Sequence, residues 1–321
     1  MTTTSPQKTA PSSRSSADRN LPPLDPTALN GRRRRDRTPR IVWLMILPAI
    51  VLMVAFYAVP TAQAVRMSFS DWGGIGEITF DGWDNYIEVL TGSALYQSLG
   101  VTVVFALGSA LGRVGIATLL AAAVSQGVRG SKFYRIVWFI PAVAPSAAVA
   151  VYWSTAFQPG VGTFNAVLGL FGLSDRTAFL ADPATAIWPI IFVDVWVGVG
   201  FAFLLILGAM ETVPTSVYEA ARIDGAGRVR QFFTMTLPLI RPVLVVVTIL
   251  QLVWAFNNFT LVWGMTKGGP GSATTTLPVL VYREAFVDGD YGSATAVAVL
   301  SGILLIIVGF IAMRFSQSKQ K

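Results

Sequence analysis

The sequence predicts an all-α integral membrane protein, a bundle of six membrane-spanning helices, and three observations carry that expectation. Only 13% of the 321 residues are charged and 53% are hydrophobic, whereas a soluble domain carries about 25% charged residues. Mean hydropathy is +0.60. Six apolar segments, at 41–65, 96–126, 136–158, 184–210, 242–264 and 293–313, each suffice for the roughly 20 residues that cross a bilayer core as a helix. None shows the alternation of a spanning β-strand, and no convincing internal repeat is visible.

Taken in order, residues 1–40 are rich in Ser, Thr, Pro and Arg. Such a stretch cannot bury enough apolar surface to fold, so it is expected to be a disordered basic tail. It ends in Arg32–Arg35, Arg37 and Arg40. Ala62-Gln63-Ala64 near the end of the first span resembles a signal cleavage box. The apolar stretch before it exceeds the roughly 7–15 residues of a signal, so the span is expected to be retained. Arg113 in the second span and Asp194 in the fourth are the two charges lying inside spans. Pro48, Pro60, Pro141 and Pro145 are read as kinks. The membrane-spanning body is expected over 41–315, with a distinct loop at 211–241 and a short tail at 316–321.

Lys and Arg in the loops set orientation. With the N-terminus inside, nineteen of the 24 basic residues fall in cytoplasmic tails and loops. Arg66, Arg176, Lys267 and Arg283 alone fall outside, and the first external loop is acidic, with Asp71, Glu77, Asp81, Asp84 and Glu88. Both termini are therefore expected in the cytoplasm. The net charge of +7 does not mark a nucleic-acid binder, because the basic residues occupy short loops and tails. The Arg cluster fits attraction to anionic lipid head groups, about 1 kcal/mol per charge near the surface.

Cys and His are absent, which excludes disulfides, thiolate and imidazole metal sites, and Ser-His or Cys-His catalysis. Gly268-Gly269-Pro270-Gly271 lacks the Lys of a phosphate-cradling loop. No cofactor is expected in this chain, and any ATP must be bound and hydrolysed by partner subunits. An enzyme is not expected.

The loop between the fourth and fifth spans is unlike a plain connector. Ser216 and Glu219 have the spacing of a capping box, predicting a helix start. Gly225 and Gly227 should end that helix after about two turns. Val229, Phe232, Phe233 and Met235 then suggest a second short amphipathic helix up to Pro238. Ala220 and Ala221 leave one face with little bulk, open to close approach by another protein.

Here the sequence resembles a known family. Glu219-Ala220-Ala221, then Gly225 beyond three intervening residues, then Leu237-Pro238 resembles the coupling-loop signature of binding-protein-dependent ABC importer permeases. The longer run Glu219-Ala220-Ala221-Arg222-Ile223-Asp224-Gly225-Ala226 is similar to the carbohydrate branch, with its maltose-type and glycerol-phosphate-type members. Trp83-Asp84-Asn85-Tyr86, Phe256-Asn257-Asn258-Phe259 and Thr266-Lys267-Gly268-Gly269-Pro270 agree, over residues 41–315. The resemblance implies a type I ABC importer permease fold in the cytoplasmic membrane. It implies a second, similar permease as partner, a cytoplasmic ABC ATPase dimer and an extracytoplasmic substrate-binding protein. Glu219, Ala220, Ala221, Asp224, Gly225 and Ala226 would then be the ATPase-coupling residues, and ATPase closure would rock the spans between two states.

Helical spacing puts Asp194, Val197, Gly198 and Phe201 on one face of the fourth span. By the same rule Gln251, Trp254, Ala255 and Asn258 share a face of the fifth. A carboxylate, amides and aromatic planes suit a sugar. The resemblance supports these positions as a substrate pathway, with Ala255 and Asp194 each standing where the maltose-type relative has a neutral Asn. That points to a related sugar rather than maltose, and away from an anion unless Asp194 is neutralised. Gln251 and Asn258 are equally suited to bonding between helices. Two roles stay open for Asp194, contact with substrate and pairing with Arg113. An ion-gradient-driven secondary transporter is the alternative reading; Asp194 would suit it, but such a carrier has no ATPase for the loop to grip. A phosphatidyl-alcohol transferase is set aside because Asp224-Gly225-Ala226-Gly227-Arg228 has its Ala and Arg in the wrong places.

Overall fold

The computed structural model describes residues 40–125 and 130–317. The expected basic tail up to residue 39, Arg129 and residues 318–321 lie outside them. The chain divides into two compact units, 1–57 and 58–321. The first contains helix α1 (Arg40–Met53), with Pro48 inside it, and most of a π-helical turn, Val54–Ala58.

The second unit opens with α2 (Val59–Met67). A two-residue antiparallel ribbon follows, β1 (Ser70–Asp71) with β2 (Thr79–Phe80), then α3 (Asp84–Thr91). The Asn-Tyr pair has a structural job here. Asn85 Nδ2 donates to the carbonyls of Ser68 and Ser70 at 3.2 and 3.1 Å. The Tyr86 hydroxyl meets Ser68 Oγ at 2.7 Å. Together they pin the turn after the first span.

The centre is built from α4 (Ser93–Ser125), the bent pair α5 (Ser131–Val143) and α6 (Ser146–Ala156), and α8 (Ile187–Glu211), with a short α7 (Thr163–Leu170) between α6 and α8. Beyond α8 come α9 (Thr215–Ile223), α10 (Arg228–Gln231), α11 (Leu237–Phe256), α12 (Thr260–Thr266), α13 (Leu277–Arg283) and α14 (Tyr291–Gln317). Among the described residues five helical stretches are long and apolar enough to span, and a sixth if α5 and α6 count as one.

Glycine sets how closely these helices approach. Gly108 and Gly112 lie four apart on α4, so they share a face. A Cβ on Gly112 would fall 2.7 Å from Val195 Cγ2, and one on Gly108 3.0 Å from Ile191. Small residues at this spacing let membrane helices close up, and α4 packs against α8 more extensively than any other pair. On another face of α8, a Cβ on Gly200 would fall 2.1 Å from the Trp138 carbonyl of α5.

Two of the predicted spans need correction. The third, expected as one helix over 136–158, is broken at Ala144-Pro145 and bent by 89°. Proline there has no N–H to give a continuing helix and forces its predecessor out of helical conformation. The fifth, expected over 242–264, begins earlier and ends at Phe256; α12 is a separate helix after Asn257-Asn258-Phe259. Helix α12 packs against α6, where a Cβ on Gly264 would meet Ala150 Cβ at 2.6 Å.

Two large apolar clusters make most of the core, and a smaller one gathers Leu277, Leu280 and Val297. Of the large pair, one gathers Phe105, Phe157, Ile190, Val193 and Val262; the other gathers Ala117, Ala121, Phe203, Ile206 and Val247. Arg113, Asp194 and Gln251 fall between the large clusters on α4, α8 and α11, forming a polar layer.

Outside the spans, a π-helical turn Glu284–Asp288 follows α13. Burial, then the charges of Asp288, Asp290 and Glu88, raise the Glu284 carboxyl above its ordinary value, with Arg283 opposing. The folded chain thus favours the protonated form. Its stabilising contribution is complete below the ordinary glutamate range and is lost as pH rises through the raised value. Glu284→Gln should therefore flatten the loss of thermal stability between acid and neutral pH, measured as melting temperature across that window.

Candidate functional site

The 211–241 loop is a capped helical knob, but not capped as its spacing suggests. Helix α9 starts at Thr215 with Pro214 at the N-cap and no side-chain cap bond. Ser216 and Glu219 make no capping box, because the helix begins one residue ahead of Ser216. The other end is closed by three of the predicted residues. Gly225 has φ +75°, its N–H donates to the Arg222 carbonyl, and the Ala226 N–H donates to the Ala221 carbonyl at 2.9 Å. These two bonds define a Schellman motif, with Gly where the left-handed residue must be. Ala221 and Ala226 are the small apolar contact that accompanies it, 1% and 9% exposed.

The expectation for the Ala220-Ala221 pair is corrected accordingly. Ala221 and Ala226 face their own chain, while Glu219, Ala220, Ile223, Asp224 and Gly225 are exposed. Ser216, Glu219, Ala220 and Ile223 lie on one face at i, i+3, i+4 and i+7. The predicted second short helix is also corrected. Helix α10, a π-helical turn at Phe232–Thr236 and α11 run on as one 29-residue stretch, Arg228–Phe256. Pro238 does not end it. Its ring would crowd the carbonyl four residues back, Thr234, and the wider π turn holds that residue. Pro60 follows Val54–Ala58 in the same relation.

Inside the bundle, Asp194 is 1% and Arg113 5% exposed. Arg113 Nη2 lies 2.5 Å from Asp194 Oδ1. Its Nε donates to the Asp194 main-chain carbonyl at 3.1 Å and its Nη1 to Gln251 Oε1 at 2.9 Å. Asn258 Nδ2 donates to the same Oδ1 at 2.7 Å. A cavity of about 310 Å³ opens beside this network. Asp194, Val197, Gly198, Phe201, Trp254 and Asn258 all line it. The rings of Phe201 and Trp254 are 4.9 Å apart at 56°.

Two residues of the predicted face lie elsewhere. Gln251 is fully buried, holding Arg113, and does not line the cavity; Ala255 is 1% exposed in the apolar cluster. Asn258 reaches the cavity from beyond the end of α11, not from its helical face. Arg113, Phe139, Ser146 and Leu261 also line it. Of these, Phe139 and Ser146 flank the Pro141/Pro145 break, the one sequence signal that could have placed them. Of the two roles left open for Asp194, the structure shows the pairing with Arg113, and Asp194 also lines the cavity.

A set of spanning helices around a charged, aromatic-walled cavity, with an exposed helical knob at one end, defines a membrane transport protein. Comparison with known proteins gives the family. Residues 114–321 match the binding-protein-dependent transport system inner membrane component. The probable ABC transporter permease protein YurN of Bacillus subtilis (strain 168) is 33% identical over 279 residues, 86% of this chain and 95% of that one. The sn-glycerol-3-phosphate transport system permease protein UgpA of Salmonella choleraesuis (strain SC-B67) is 34% identical over 286 residues, 88% and 96% of the two chains. In structure, a bacterial ABC transporter involved in the import of the acidic polysaccharide alginate matches with TM-score 0.77 at 22% identity, over 88% of this chain and 96% of that one. The chain belongs to the family of binding-protein-dependent transport system inner membrane components. It is a multi-pass ABC importer permease of the type I fold, and the ion-gradient alternative falls.

Proposed function

We propose that this chain is one of two similar permeases that together pass a sugar or oligosaccharide into the cytoplasm by alternating access. An ABC ATPase dimer binds the ATP and grips the α9 knob, and an extracytoplasmic binding protein delivers the substrate. Both termini are cytoplasmic, and the chain's own role is transport rather than catalysis. Apolar side chains such as Leu119 and Ile306, 65% and 73% exposed, face lipid or the second permease. The names of the relatives give glycerol phosphate and the acidic polysaccharide alginate; both bear hydroxyl groups and both are anions, and the pairing of Asp194 with Arg113 supplies the neutralisation that an anion would need.

One observation carries this reading. The helical stretch that starts directly after the knob continues unbroken to Trp254 at the cavity wall. At 1.5 Å per residue the whole stretch, Arg228–Phe256, is about 43 Å long. A rigid displacement of the knob is therefore a displacement of the cavity wall. Gly225→Pro and Glu219→Lys should each abolish most uptake while the permease still inserts and assembles. Pro cannot take the positive φ, and Lys reverses the charge of the exposed face. Uptake and assembly are measured on the same membranes, and normal uptake in both variants would remove the coupling role.

A further inference from the structure

We infer that Tyr218, Gln231 and Thr236 are positioning residues for coupling. They lock the α9 knob to α11, so that a pull on the knob moves the cavity wall instead of bending the joint between them. This rests on the reading of the knob as the part that the ATPase grips.

The need for a lock follows from how the knob is mounted. Among the described residues α9 packs extensively against no other element. Behind it lies a cavity of about 640 Å³, lined by Ala122 of α4, Met210 of α8, Tyr218 and Arg222 of α9, and Gln231 and Thr236. The knob is thus undercut where it would otherwise rest on the ends of α4 and α8. Its chain connection to α10 is Asp224-Gly225-Ala226-Gly227, and two glycines in four residues make a pliable joint. Left to itself, such a joint would absorb the motion as a hinge does.

Three side chains close it. Gln231 is buried, 8% exposed, and its Nε2 donates to the Ala226 carbonyl at 2.7 Å. Its main-chain N–H donates to the Gly227 carbonyl at 2.9 Å. One residue of α10 therefore holds two consecutive carbonyls of the joint. The Tyr218 and Thr236 hydroxyls meet at 3.1 Å. Thr236 Oγ1 also lies 3.5 Å from the Gln231 carbonyl, so its proton is directed there and Tyr218 donates to it.

These bonds form a ring: Tyr218 to Thr236, Thr236 to Gln231, Gln231 to Ala226, and back along the chain to α9. A closed ring fixes an angle that a single bond would leave free. It also bridges the π-helical turn Phe232–Thr236, so the lock reaches the residue directly before α11.

The test uses the assembled importer, purified with its second permease and its ATPase. Ser146→Cys puts a thiol in the cavity of a chain that has no other. Its rate of reaction with fluorescein maleimide is measured without nucleotide and with ATP trapped by vanadate. In this background the two rates should differ severalfold; equal rates would remove alternating access at the cavity, and the proposal with it. Gln231→Met keeps the length of the side chain but has no donor for the Ala226 carbonyl. Combined with Tyr218→Phe it should still assemble and hydrolyse ATP. The difference in rates should shrink about fivefold or more, the weight of one net hydrogen bond in an equilibrium. An undiminished difference would overturn the proposal, whether assembly is normal or reduced, since a merely structural role lowers assembly alone. Loss of ATP hydrolysis would also overturn it, by placing the fault in the motor. If Gln231→Met prevents assembly, Tyr218→Phe and Thr236→Val carry the test. Each removes a hydroxyl from the same bond, so the pair should lose no more than Thr236→Val alone. No loss, or additive losses, would overturn the proposal. Glu219→Lys, with the lock intact, separates the two readings. An undiminished difference there removes the knob as the gripped part; a lost difference there, with the lock variants unaffected, removes only the lock.

Discussion

Asp194→Ala is expected to destabilise the folded chain by about 3–5 kcal/mol, the range for breaking a buried ion pair from one side. The cost comes from what is left behind. Arg113 remains 5% exposed with its Nη2 unpaired, and Asn258 loses its acceptor as well. The cation stays held where α4 and α8 are drawn close by Gly108 and Gly112, with the adjoining cavity as its one route to water. Thermal melting of the purified protein checks the loss. Adding Arg113→Met should recover most of it, because two apolar side chains replace two charges. A double-mutant cycle then gives the coupling directly. Little destabilisation in the single variant would mean that water already reaches the pair.

Gly200→Val is expected to be comparably severe, about 3 kcal/mol, the upper end of the overpacking range. The added Cβ would sit 2.1 Å from the Trp138 carbonyl and 2.9 Å from Phe139 Cα. Both neighbours are backbone, so no side-chain rotation relieves the clash and α5 must move off α8. Phe139 also lines the cavity, so the site should open along with the helix pair. Melting temperature and the accessibility of a cysteine placed at Phe139 report the two effects. Gly208→Val on the same helix, where a Cβ meets nothing within 4 Å, is the control and should be nearly neutral.

The spans could be read from hydropathy because bilayer thickness imposes one length on every crossing. Breaks inside them could not be located as well. Pro145 bends its span by 89°, while Pro48 and Pro242 sit inside helices. The difference lies in neighbours, not in proline: beyond the first break, α6 has α12 to pack against. Helical spacing brought Asp194, Val197, Gly198 and Phe201 together correctly, since α8 is unbroken there. The same rule misplaced Gln251 and Ala255, and it reached Asn258 only because that residue comes to the cavity from beyond the helix end. Its assumption fails at Asn257, where α11 ends, and the Arg113 side chain turns Gln251 away from the cavity. At the knob, Gly225 was legible as a helix stop, because few other residues take that φ. The inward direction of Ala221 was not, because it depends on a bond from Ala226 that spacing alone does not reveal.

The polar layer also bears on how the chain is made. Arg113 precedes Asp194 by 81 residues. At about 5–20 residues per second, the ribosome delivers the carboxylate roughly 4–16 s after the guanidinium. During that interval the newborn α4 carries an unmatched cation whose insertion alone costs about 2.5–3.5 kcal/mol. Its residence in lipid is therefore provisional until α8 arrives, and the translocation machinery must shelter one helix while it awaits the other.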